Sequence, residues 1–209
     1  MFDKLDELLN RKAQRFICRN GWPEPSPPEY SVAIGHEVGP PLGDGEIRAL
    51  ESQVGHVPEL LALYSRCSHV LLYRQLHADT AAFYIAPPDE WGDLKESVYD
   101  WVEQLDSNEK AEILPDWFSS FVVVGRVPRG AVFYLVPLAG NHVGYVYEFD
   151  HDGYEFLPSG TSFANFINRI CTVTPSLLTE ISAHTRYQDE RPNSQWLVDR
   201  YEFDTQSVL

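Results

Sequence analysis

The chain has no apolar stretch of the length a bilayer crossing needs, so no membrane-spanning helix is expected. Basic residues are scarce. Sixteen Lys and Arg stand against 31 Asp and Glu, for a net charge of −15. A nucleic-acid binder must neutralise phosphates with cations, so nucleic acid is not an expected partner, nor is an anionic membrane surface. Cysteine is sparse too. Cys18, Cys67 and Cys171 are odd in number and scattered. Neither a disulfide framework nor a zinc ribbon follows, and each reads as a small buried hydrophobe in a reducing cytoplasm. The segment Met1-Phe2-Asp3-Lys4-Leu5 lacks a basic region ahead of an apolar block, so a secretory signal is not expected. The chain also lacks a Gly-x-Ser-x-Gly elbow, a phosphate-cradling Gly-x-x-x-x-Gly-Lys-Ser/Thr and a Gly-x-Gly-x-x-Gly. No two histidines have His-x-x-x-His spacing.

Hydrophobic residues are plentiful at 44 %, aromatics at 13 %, which is enough for a real core. Residues 2–19 read as an amphipathic helix, with Phe2, Leu5, Leu9 and Phe16 on one face. Residues 21–46 hold six prolines and five glycines, which disfavours both helix and central strand. That composition predicts a linker over 21–44, with one short strand at Tyr30–Ile34. The main domain is expected over 45–185, and 186–209 is a polar tail without assignment. Within the domain, helices are predicted near 45–54 and from Pro58. A hairpin follows at Val70–Tyr73 and Ala82–Ile85. Phe118–Val124, Ala131–Leu138 and Val143–Phe149 are strand-like, and loops as short as theirs favour antiparallel neighbours. Tyr154–Leu157 adds a further strand. Ser162 caps one helix and Pro175 opens another. The expected fold is α+β: a single, mainly antiparallel sheet flanked by helices.

The helix predicted over 89–106 has the strongest pattern. Leu94, Val98, Trp101, Val102 and Leu105 cluster on one side, and Asp89, Asp93, Glu96, Asp100 and Glu103 on the other. Ten acids and two bases (Lys95, Lys110) occupy the stretch from Pro88 to Asp116. Like charges at these spacings cost a few tenths of a kcal/mol per pair. Such a face is either merely solvated or a patch for a Lys/Arg-rich partner. Trp91 beside it is a candidate aromatic anchor.

The order of elements and several short motifs resemble the SUKH superfamily, which includes the Smi/Knr-type cell-wall assembly regulators and many bacterial immunity proteins. The resemblance rests on Leu50-Glu51, Gly55, Val57-Pro58 and Leu60 to Tyr64, then on Pro87-Pro88-Asp89-Glu90-Trp91. The run from Gly144 to Phe156, with its Asp150-His151-Asp152-Gly153 turn, precedes Ser162-Phe163-x-x-Phe166 as it does in that family. The likeness covers roughly residues 45–172. Cys67-Ser68 stands where family members commonly have Asn-Gly. The resemblance implies a non-enzymatic scaffold without catalytic residues, one that often neutralises a toxin by direct binding.

The expected function is therefore protein binding, with a basic toxin domain such as a nuclease as the candidate partner. The expected binding residues are Asp89, Glu90, Trp91, Asp93, Glu96, Asp100 and Glu103. No cofactor and no metal is expected. Two alternatives remain: a regulatory or scaffold protein of the same fold with no toxin partner, and a metal-dependent enzyme centred on His151 between Asp150 and Asp152. The Asp-Gly pair there is also an ordinary turn signal.

Overall fold

A computed structural model describes residues 1–20, 29–55, 57–76, 80–185 and 196–204. Among these the chain forms nine strands in one antiparallel sheet, with helices packed against it. In chain order the elements are α1 (Asp3–Leu9), β1 (Lys12–Asn20), β2 (Tyr30–Val38), α2 (Asp44–Val54), α3 (Pro58–Tyr64), β3 (Val70–Gln75) and β4 (Phe83–Ile85). There follow α4 (Trp91–Val102), α5 (Ser107–Ile113), β5 (Phe121–Arg126), β6 (Val132–Pro137), β7 (Val146–Asp150), β8 (Glu155–Gly160), α6 (Phe163–Cys171), α7 (Pro175–His184) and β9 (Trp196–Asp204). The strands lie in the order β8-β7-β6-β5-β4-β3-β2-β1-β9. The sheet is thus an eight-strand meander that β9 extends by pairing with β1.

Both faces of the sheet are covered. Phe121 of β5 lies opposite Pro137 of β6, and Tyr134 is three residues from Pro137, so Phe121 and Tyr134 point to opposite faces. Tyr99 of α4 packs on Phe121 (ring centroids 5.8 Å apart), and Phe166 of α6 packs on Tyr134 (4.9 Å). Helix α4 therefore covers one face and α6 the other. Burial from both sides explains why β5 reads Phe-Val-Val-Val rather than alternating. Gly125 ends that run for a steric reason. A Cβ there would lie 2.1 Å from the Tyr84 carbonyl oxygen, so only glycine lets β4 and β5 close.

Two expectations near the N-terminus are corrected. The helix predicted over 2–19 is helical only at Asp3–Leu9, and Lys12–Asn20 is strand β1. Helical spacing and strand alternation both accommodate Phe16, and the sheet decides between them: Gln14, Phe16 and Cys18 alternate inward, and Phe16 pairs with Val32. Within the linker predicted over 21–44, the strand expected at Tyr30–Ile34 is present and runs on to Val38 as β2, between β1 and β3. Pro40 and Pro41 follow that strand and so take no donor from its ladder; residues 21–28, with the other prolines, lie outside the described residues. Phe2, Leu5, Leu8, Phe16 and Cys18 share one core with the residues of 45–185. In the expected polar tail, 196–204 forms β9, while 186–195 and 205–209 lie outside the described residues.

A third correction concerns the long helix. The stretch 89–106 is a 3₁₀ turn (Pro88–Glu90), the α-helix α4 and a non-helical break over 103–106. Asp106 starts α5, which the apolar pattern did not reveal. Its carboxylate accepts from the Asn108 and Glu109 backbone N–H groups at 2.7 and 3.0 Å, and Glu109 Oε2 accepts from Asp106 N–H at 2.8 Å. This capping box was readable as Asp106-x-x-Glu109.

Candidate functional site

The buried side of α4 consists of Trp91, Leu94, Val98 and Val102, and it packs on β5. That packing sets the rotation of the helix and turns Asp93, Glu96, Asp100 and Glu103 to solvent along one face. Among the described residues, none of these four carboxylates forms an ion pair. Several of the chain's scarce cations pair elsewhere: Lys4 with Glu7, Arg15 with Glu202, Arg19 with Asp199, Arg66 with Asp6, Arg74 with Glu37, and Arg200 with Glu29. Lys95 lies within the acidic stretch but faces inward. Its ammonium donates to the Phe121 carbonyl at 2.9 Å and sits 4.5 Å from the Phe121 ring centre. Desolvation there lowers its pKa. Lys110, the other base of the stretch, donates to the Glu103 backbone carbonyl at 3.5 Å, so among the described residues the face of α4 is a row of carboxylates with no ion pair.

The structure places the other three expected binding residues differently. Asp89 is exposed at the N-terminal approach to this row. Glu90 turns inward and accepts a hydrogen bond from the Tyr84 hydroxyl at 2.9 Å. Trp91 is 2 % exposed, with its indole N–H donated to the Ala86 carbonyl and its ring edge-on to Tyr64. It anchors α4 to the body and offers no surface to a partner. The physical reason is its place in the first turn of α4, on the same stripe as Leu94 and Val98.

The Asp150-His151-Asp152 cluster does not converge. Asp150 Oδ1 accepts from the Asp152 backbone N–H at 3.0 Å, which is a local turn bond. The His151 ring stacks on Trp101, and Asp152 is largely solvent-exposed with Oδ1 3.5 Å from His151 Nε2. Among the described residues no group of three or more His, Cys, Asp or Glu is arranged to hold a metal ion. His56 and His77, considered with the other histidines for metal spacing, lie outside the described residues. The three thiols are buried, and desolvation pushes Cys18 up to about 12 and Cys67 up to about 11.

One polar cluster was not foreseen. Arg169 of α6 donates to Glu180 of α7 at 2.5 Å and to Glu148 of β7 at 3.3 Å, and the Ser159 hydroxyl donates to Glu148 at 2.6 Å. Desolvation raises the Glu148 pKa despite these bonds. Glu148 also lines a cleft of about 940 Å³ together with Asp150, His151 and His184. Glu148 and Glu180 lie on β7 and α7, and no local motif links them. Among the described residues no helix is long and apolar enough to cross a membrane. No protein-family model matches the chain, and no curated protein is significantly similar to it.

Proposed function

We propose that this chain is a non-enzymatic protein-binding module that receives a Lys/Arg-rich partner on the exposed carboxylate face of α4. The supporting observation is that, among the described residues, Asp93, Glu96, Asp100 and Glu103 form no ion pair, while six arginines pair with carboxylates on other elements. Four exposed carboxylates along α4 and its C-cap create a local negative potential that steers a basic partner and fixes its register. The resemblance to the SUKH superfamily supports one class of partner: a toxin domain with a basic, phosphate-binding surface, on which these carboxylates stand where nucleic acid would. In this reading Asp89 extends the face, while Glu90 and Trp91 hold α4 in place.

The test is association kinetics with basic nuclease toxin domains encoded beside the gene, measured from low to high salt. The on-rate should fall steeply with salt. The triple variant Glu96→Lys, Asp100→Lys, Glu103→Lys should lower it about 10- to 100-fold at low salt. An on-rate indifferent to both would place the binding surface elsewhere on the molecule.

A further inference from the structure

Beside the carboxylate face, a groove of about 230 Å³ runs between α2 and the turn that leads into α4. Leu42, Ala49 and Pro88 give it apolar walls, and Glu46, Gln53 and Asp89 supply polar groups. Its volume is below the roughly 300 Å³ at which small-molecule pockets usually begin, so it suits a single long side chain. We propose that this groove is the seat of one arginine of the basic partner, its aliphatic stem against Leu42, Ala49 and Pro88 and its guanidinium between Glu46 and Asp89.

The chemistry selects arginine over the other occupants. An apolar side chain would strip water from two carboxylates and an amide without returning a hydrogen bond. A guanidinium carries five N–H donors in a planar fork and a stem that tolerates apolar contact. Glu46 is already oriented to receive it. Its Oε2 accepts the Gly43 N–H at 2.8 Å in the cap of α2, which holds the carboxylate in place, and among the described residues Oε1 accepts nothing. Asp89 forms no ion pair among the described residues. Both walls are fixed to the body: Leu42 N–H bonds the Tyr64 carbonyl at 3.0 Å, and Glu90, next to Asp89, accepts the Tyr84 hydroxyl of β4 at 2.9 Å. A site built this way loses little entropy on occupation. Asp89 is shared between the groove and the row that continues through Asp93 and Glu96, so one basic segment can seat an arginine and run on along α4.

This inference rests on the reading of a basic partner, and its test separates the two. The ¹⁵N-labelled protein is titrated with N-acetyl-arginine amide and, in parallel, with N-acetyl-norleucine amide, while amide resonances are followed by NMR. The arginine derivative should shift Leu42, Ala49, Gln53 and Asp89 saturably, and the norleucine derivative should not. Glu46→Gln with Asp89→Asn, which keeps an acceptor for the cap, should weaken binding about tenfold or more. Ala49→Trp, at an exposed helix position, should fill the groove and abolish the shifts while the rest of the spectrum stays unchanged. Equal binding of the norleucine derivative, or shifts along α4 with the groove resonances still, would overturn the arginine seat. Salt-dependent association that survives Ala49→Trp but not the α4 charge reversal would also overturn the seat while leaving the carboxylate face standing.

Discussion

The His151 imidazole lies flat on the Trp101 indole, with ring centroids 4.0 Å apart and planes 6° from parallel. The stack joins α4 to the turn after β7, two elements that carry the most site-like residues of the sequence. It gives His151 a packing role and uses Trp101 as a bracket beneath the acidic face. The helix that presents the carboxylates is thereby held at both ends, by Trp91 at its start and by Trp101 near its close.

Truncating this bracket should loosen α4. Trp101→Ala is expected to cost about 1–3 kcal/mol in denaturant unfolding, less than for a fully buried tryptophan because Trp101 is half-buried. A double-mutant cycle with His151→Ala should return a coupling of about 0.5–1.5 kcal/mol. A coupling indistinguishable from zero would remove the stack from the account.

Stability should fall in acid for a reason centred on His36. Its Nδ1 accepts the Tyr73 backbone N–H at 3.1 Å and its Nε2 lies 2.8 Å from Gln14 Oε1, so the neutral ring is fully bonded. Desolvation, with Arg11 adding to it, lowers its pKa from 6.5 to about 3. Because the unfolded chain binds the proton more readily, the stabilisation is complete above pH 6.5 and is lost as pH drops from there toward 3. The slope approaches about 1.4 kcal/mol per pH unit inside that window. His184, also lowered by desolvation, acts with the same sign. Urea midpoints of wild type and His36→Gln measured between neutral and mildly acidic pH check this. The variant should be less stable at neutrality and flatter toward acid.

Arg169 should matter more than a surface arginine. Removing it leaves Glu148 and Glu180 facing each other without their shared cation. Arg169→Ala is expected to destabilise by about 2–3 kcal/mol, whereas Arg74→Ala, which breaks an exposed pair with Glu37, should cost under about 1 kcal/mol. Thermal unfolding of the two variants side by side decides it. Equal shifts in Tm would show that solvent screens the Arg169 cluster as fully as the surface pair.

The thiols should be silent until the chain unfolds. Cys18, Cys67 and Cys171 are buried and held protonated by desolvation. Ellman's reagent should find almost none in the native protein at neutral pH and three per chain in guanidinium. A thiol that reacts promptly under native conditions would contradict the burial.

Much of the fold was legible in local patterns. Ser162 and Pro175 start α6 and α7 where expected, and the Val/Phe/Tyr-rich runs joined by short loops became β5 to β8. These are short-range effects: a cap bonds the turn it precedes, and a short loop leaves an antiparallel partner as the only neighbour within reach. The acidic row on α4 was legible for the same reason, because i, i+3 and i, i+4 spacing sets a helix face without reference to anything beyond the helix.

What the sequence could not decide was whatever depends on distant partners. Lys12–Asn20 is a strand because β2 and β9 flank it, and β9 lies nearly the whole chain away. Glu148, Arg169 and Glu180 meet because α6 and α7 pack on the same side of the sheet as Glu148, and Lys95 abandons its acidic neighbours for the Phe121 carbonyl. The sequence by itself determined the surplus of carboxylates and their spacing. The tertiary structure alone decided which of them form no ion pair among the described residues, since pairing is a matter of distance in space and several cations were drawn to other elements.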